Sequence, residues 1–138
     1  MNVILGDWNT LGHRAKAIRL AVFVGEQGIP ISIELDEHDP QSIHALAIAP
    51  DGTVVGTGRL LQDAHIGRMA VLADYRGQGV GGQLLQALVA EAKRLNYPGV
   101  VLSAQIHASD FYKAHGFVRT GKPFLEAGIR HIDMVLTF

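Results

Sequence analysis

Arg76-Gly77-Gln78-Gly79-Val80-Gly81-Gly82 places four glycines within six positions, directly ahead of the amphipathic run Gln83-Leu84-Leu85-Gln86-Ala87-Leu88-Val89-Ala90-Glu91-Ala92-Lys93-Arg94-Leu95. Leu84, Leu88, Ala92 and Leu95 recur at helical spacing, and Leu85 and Val89 widen the stripe. Lys93 and Arg94 fall in the last turn, where cations complement the helix dipole. Asn96 and Pro98 end the run. The spacing therefore predicts a helix over 81–95, entered through a glycine-rich turn. Such a turn aims several unpaired backbone N–H groups at one point, and the dipole adds positive potential there, so that phosphate binds readily. Glycines let the backbone approach the anion without a Cβ in the way, and Arg76 can add charge-assisted hydrogen bonds.

The type of phosphate ligand is narrowed by what surrounds the turn. Gly77, Gly79 and Gly82 satisfy G-x-G-x-x-G, but a dinucleotide site also wants a carboxylate about 20 positions on. Val101-Leu102-Ser103-Ala104-Gln105 supplies none. A Walker A loop fails as well, because Gln83 and Leu84 follow Gly82 where Lys and Ser/Thr are required.

Outward from the turn, the chain reads as an alternation of strands and helices. A short strand is expected over 3–5. Asn9 and Thr10 are N-cap types, and Leu11, Ala15, Ile18 and Val22 predict a helix over 10–24, broken by Gly25, Gly28 and Pro30. Strands are expected over 44–49, 53–61 and 65–72, with a hairpin turn at Asp51-Gly52. Gly67 marks either a bulge or a packing position. Beyond the 81–95 helix, a buried strand is expected over 99–105 and a short helix over 107–115. A strand over 117–119 and an alternating strand over 129–137 follow. Hairpins mixed with one βαβ crossover predict an α/β (α+β) domain over 1–138. Its sheet is mixed and mostly antiparallel, with 65–72 and 99–105 as parallel neighbours. Residues 31–42 read as a loop carrying Glu34, Asp36, Glu37 and Asp39.

Composition sets the outer limits. The 138 residues are 48% hydrophobic and 18% charged, with a formal net charge of −1. This is a globular composition without the basic balance of a nucleic-acid binder. There is no cysteine, which excludes disulfides, thiolate nucleophiles and cysteine-based zinc sites. The seven histidines show no metal-ligand spacing, so no metal is expected. No apolar run approaches the ~20 residues of a membrane span, and the N-terminus lacks a basic region and an apolar core. The expected location is cytoplasmic, with no membrane or nucleic-acid partner. Monomer and homodimer both fit.

Three motifs in order resemble the GNAT N-acetyltransferase superfamily. Arg76-Gly77-Gln78-Gly79-Val80-Gly81 is similar to its coenzyme A pyrophosphate loop, and Gly82 extends it. Met69-Ala70-Val71 resembles its splayed strand, whose backbone pairs with the pantetheine arm. Gln105-Ile-His-Ala108-Ser-Asp-Phe111-Tyr112-Lys-Ala-His-Gly116-Phe117 resembles its Asn-x-x-Ala-x-x-Leu/Phe-Tyr-x-x-x-Gly-Phe segment. Val22-Phe23-Val24-x-Glu26-Gln27 and the tail Glu126-Ala-Gly128-Ile129-x-His131-Ile132-x-Met134 are similar to its ElaA-like branch. The resemblance implies a splayed central strand pair with acetyl-coenzyme A between the strands, held by Met69 to Val71, Arg76 to Gly82, Gln105 and Phe111. It implies transfer of the acetyl group to a primary amine of a small molecule or peptide, with Tyr112 protonating the departing sulfur. A non-catalytic acyl-coenzyme A binding module on the same fold is the alternative.

The acceptor side is less constrained. Four carboxylates between Glu34 and Asp39 form either solvated surface or, with Glu26, a grip on a cationic amine. Glu26, Glu34, Glu37 and His131 are the acceptor-site candidates. An alkylammonium near pKa ~10.4 must lose a proton before it can attack a thioester. Many relatives place a carboxylate on the central strand for this purpose. The equivalent positions here are Gly67 and Arg68, neither of which is a base. Water, Glu26, Glu34, Asp36, Glu37, His65 and His131 all remain open.

Overall fold

The computed structural model describes residues 1–34 and 36–138, at 33 and 34 as backbone only. Strand β1 (Asn2–Gly6) leads to helix α1 (Trp8–Arg19), which continues as a π-helix over Leu20–Glu26. A one-turn helix α2 (Ile31–Glu34) and a 3₁₀ turn (Asp39–Gln41) precede β2 (Ile43–Ile48), β3 (Val54–Leu60) and β4 (Ile66–Val71). Helix α3 (Val80–Arg94) connects β4 to β5 (Gly99–Gln105). Helix α4 (Ser109–Ala114), β6 (Val118–Glu126) and β7 (Ile129–Thr137) complete the chain.

The strands form two sheets, ordered β1-β2-β3-β4 and β5-β7-β6, antiparallel throughout. They touch through one parallel bridge, His65 to Val101, reinforced by Val101 N–H donating to the Ala64 carbonyl at 3.1 Å. Beyond it β4 and β5 part, which is the expected splayed pair. Alternation along β2 builds the layers. Ala45 and Ala47 face α3 with its buried Leu84, Leu85 and Leu88, whereas Leu46 faces α1 with Leu11 and Ala15.

Two local expectations are corrected. Asp7, not Asn9 or Thr10, caps α1: its carboxylate accepts from Thr10 N–H at 2.8 Å. The strand expected over 117–119 extends to Glu126, with a register break between Thr120 and Phe124. Gly121 and Pro123 read as turn signals, but β6 is an edge strand, where proline is tolerated.

The acidic segment is tied down by arginines from three elements. Arg19 of α1 forms a two-pronged pair with Asp39, 2.9 Å at each contact. Arg59 of β3 bridges Asp39 at 2.9 Å and Asp36 at 2.7 Å, and Arg68 of β4 reaches Asp36 at 3.2 Å. Burial alone would raise both carboxyls. For Asp36 the His38 N–H, Arg59 and Arg68 outweigh it and bring the pKa to about 2, and for Asp39 the two arginines hold it below the usual range. Both groups are depressed in the folded state, so their contribution is complete above about pH 4. It is lost as pH falls toward 2.

Asp39→Ala removes the buried carboxylate that Arg19 and Arg59 share and should cost about 3–5 kcal/mol. Urea unfolding followed by the fluorescence of Trp8, which lies 5.7 Å beneath the Arg19 guanidinium, measures this. The wild-type protein should lose stability between pH 4 and 2, and the variant should lose less over the same interval.

Candidate active site

The divergence of β4 and β5 opens a cleft of about 1020 Å³, at the upper end of the range for ligand pockets. The glycine turn borders it at one side. Gly77 and Gly79 have φ of +77° and +82°, and a Cβ on either would meet no atom within 4 Å. Both backbones face open space in a conformation that strongly favours glycine. Gly79 caps α3, so the first N–H groups of the helix emerge at the same point. Gly81 and Gly82 act differently. A Cβ at Gly81 would lie 3.5 Å from the Phe111 ring, and one at Gly82 would lie 3.3 Å from His115. The missing side chain at Gly82 leaves room for His115, the Phe111 distance at Gly81 is ordinary van der Waals contact, and both glycines border the cleft.

Arg76 leans across the mouth of this cradle. Its Nε donates to the Val71 carbonyl at 2.9 Å, and its terminal nitrogens hold the Glu26 carboxylate at 2.6 and 3.0 Å. Two of the five guanidinium N–H groups remain available. Glu26, a candidate for the acceptor, thus borders the cleft with its charge already matched.

Met69 and Ala70 lie on the cleft wall. Between Thr57–Ala70 and Arg59–Gly67 the register shifts, so Arg68 and Met69 together oppose one residue of β3. This is a bulge, with Arg68 at φ +50°. The irregularity sits one residue beyond Gly67. Gly67 is not a packing position, since nothing lies within 4 Å of its Cβ direction.

The opposite wall is β5 and α4. Tyr112 stacks edge-on against Phe111 (5.0 Å) and Phe117 (5.9 Å). Burial pushes its phenol up to about 12, and no hydrogen bond contributes to that shift. Gln105 exchanges side-chain amide hydrogen bonds of 2.9 and 3.3 Å with Gln27, at the end of the π-helix. The Glu26-Gln27 pair was visible in the sequence as part of the branch motif, but nothing in its spacing indicated a partner 78 residues away.

The acidic segment contributes less to the cleft than its charge suggested. Asp36 borders it, but already paired with Arg59 and Arg68. Glu37 lies outside, at a smaller depression beside Trp8 and Lys16, and the side chain of Glu34 lies outside the described residues. His131 does border the cleft, as do Glu126 and His65.

Residues 23–138 match the family model of the acetyltransferase (GNAT) domain. The chain belongs to the GNAT acetyltransferase family. The uncharacterized N-acetyltransferase YjcF of Bacillus subtilis is 38% identical over 122 residues, 86% of each protein. Among solved structures, an acyl-CoA N-acyltransferase from Pseudomonas aeruginosa is 32% identical, with a TM-score of 0.85 over 97% of both chains. Escherichia coli ElaA is 29% identical, with a TM-score of 0.86 over 98% of this chain and 99% of its own. The GNAT fold accounts for the divided sheet and the cleft. Among the described residues no helix is long and apolar enough to cross a membrane.

Gly79→Val fills the space above the cradle and forces a β-branched residue to positive φ. Calorimetry should show coenzyme A binding weakened at least ~10-fold, with a stability cost of about 1–2 kcal/mol. Unchanged affinity in the folded variant would remove the Gly77–Gly79 backbone from the site.

Proposed function

We propose that this chain transfers an acetyl group from acetyl-coenzyme A to a primary amine by direct attack on the thioester. The observation that carries the reading is a continuous cleft running from the open backbone of Gly77 and Gly79 to the Tyr112 phenol. An extended acyl donor lying along it would place its diphosphate at the N-terminus of α3 and its thioester near α4. The N-acyltransferase names of the similar proteins agree with this reading.

Each wall has a task in the reaction. The backbone around Gly79 and the start of α3 binds the diphosphate, with the remaining Arg76 donors alongside. The β4 bulge leaves backbone outside the regular ladder, where an N–H can polarise the thioester carbonyl. Tyr112 stays protonated across the physiological range. A phenol pushed up to about 12 is a weak acid in water. Beside a thiolate forming in the same low-dielectric cleft, it holds the proton that the sulfur needs.

A non-catalytic acyl-coenzyme A module remains the second reading, because Gly67 and Arg68 occupy the strand positions where many relatives carry a carboxylate. Turnover of acetyl-coenzyme A against a panel of primary amines separates the two. Thiol release with at least one amine is expected, and tight acetyl-coenzyme A binding with no acceptor supports the module.

Tyr112→Phe removes only the hydroxyl. It should lower kcat roughly 10²-fold, the low end for loss of a general acid because thiolates leave readily, with acetyl-coenzyme A affinity unchanged. Wild-type kcat in the variant, measured where chemistry limits, would transfer the role to water. Because the phenol is raised in the folded state, its contribution to stability is complete below pH 10 and is lost as pH rises toward 12. The wild-type protein should therefore lose more stability than Tyr112→Phe over that interval.

A further inference from the structure

We infer that His131 is the base that deprotonates the acceptor amine and that Glu126 is its positioning carboxylate, an assignment that rests on the N-acetyltransferase reading. The geometry begins with the sheet. His131 lies opposite Gln105 on β5 and opposite Phe124 on β6. Residues directly opposite one another share a face, so Phe124, His131 and Gln105 form a row across β6, β7 and β5. His131 and Gln105 from that row border the cleft, as does Tyr112 on the helix that follows β5.

The ring itself is fixed. His131 is 8% exposed, and Phe124 stacks on it at 5.8 Å and 23°. Its Nδ1 lies 2.7 Å from the Ile129 carbonyl oxygen. A carbonyl only accepts, so Nδ1 carries the hydrogen. In the neutral ring Nε2 then holds the lone pair. Nε2 is 3.6 Å from a carboxylate oxygen of Glu126, which also borders the cleft. A lone pair facing a carboxylate becomes a charge-assisted contact once it takes a proton. An imidazole anchored through Nδ1, with Nε2 beside a carboxylate that draws an ammonium to the same place, can take a proton from that ammonium.

Among the described side chains, the other candidates are occupied or misplaced. Glu26 is held by Arg76, and Asp36 by Arg59 and Arg68 at a pKa of about 2. Glu37 lies outside the cleft. His65 is half-exposed beside Asp63 at 3.0 Å, next to the closed end of the strand pair.

The protons balance. One proton of the ammonium passes to Nε2 of His131 and on to solvent. The neutral nitrogen forms the C–N bond as the C–S bond breaks, and the second nitrogen proton replaces the one that Tyr112 gives to the thiolate. The products are amide, free thiol and one released proton. Among the titratable groups, Glu126 on β6 faces the imidazole, whereas His107 in the 3₁₀ turn after β5 (Ile106–Ala108) and Tyr112 on α4 border the same cleft. β5 presents the neutral Gln105.

The test combines kinetics with a readout that needs no turnover. At pH 7 with an alkylamine, His131→Gln should lower kcat/KM by about 10²–10⁴, abolish the acid limb of the pH–rate profile and leave acetyl-coenzyme A affinity unchanged. With an amine that is already neutral at the assay pH, the loss should shrink below ~10-fold, which a merely structural defect would not do. Glu126→Gln, a change at a largely exposed side chain, should lower kcat/KM with the alkylamine by less than His131→Gln does, keep the acid limb and leave acetyl-coenzyme A affinity unchanged. His65→Gln should leave the limb in place. An equal loss with every amine, a limb that survives His131→Gln, or one that disappears with His65→Gln would overturn the assignment. Nitrogen NMR of the wild-type imidazole should show the Nδ1–H tautomer. Finding Nε2–H would refute His131 as the base even if the chain acetylates amines, and a chain that acetylates none would refute the transferase reading instead.

Discussion

β4 and β5 are joined at a single parallel bridge, His65 to Val101, and everything functional in this molecule follows from their failure to pair any further. A regular parallel ladder would bury both strand edges. Here α3 and α1 support β4 while β7 supports β5, so each strand is held without needing the other. The space between becomes a cleft whose walls are partly backbone, and backbone N–H and C=O groups seek partners. An acyl donor with amide groups along its length is a natural occupant. The β4 bulge at Arg68 and Met69 turns the strand away at the same place.

The rigidity of that arrangement depends on charge as well as packing. Asp36 and Asp39 tie the connector after α2 to α1, β3 and β4 through Arg19, Arg59 and Arg68. A network of this kind adds little net energy over an apolar core but specifies position. It fixes the segment while pairing Asp36 and Asp39, two of the four carboxylates that made it look like an anionic surface.

The sequence was most informative where structure is local. The glycine turn and the stripe of α3 were legible because both the cap and the periodicity lie within 20 residues, and the motif around Tyr112 placed α4 to within two residues. The pairing of Asp36 and Asp39 was not legible because their partners lie 20 to 32 positions away. The length of β6 was hidden because Gly121 and Pro123 carry turn signals that pairing with β7 overrides. The surroundings of the glycines ahead of α3 were not legible: Gly77 and Gly79 face open space, whereas a Cβ at Gly82 would press on His115. The π-helix over Leu20–Glu26, which carries Glu26 to the cleft, has no composition signal that separates it from an α-helix.

β6 has a further consequence. It is the outer strand of its sheet, exposed along its full length, with Val118 63% and Leu125 71% accessible. Nine residues of open edge are a template for adding strands from other chains, the geometry from which aggregates grow. Pro123 interrupts the donor pattern of that edge, Lys122 puts a charge beside it, and the register break between Thr120 and Phe124 bends the strand. An incoming strand would find only short runs on either side. The irregularity that obscured β6 in the sequence also divides its exposed edge into segments too short to template a long added strand.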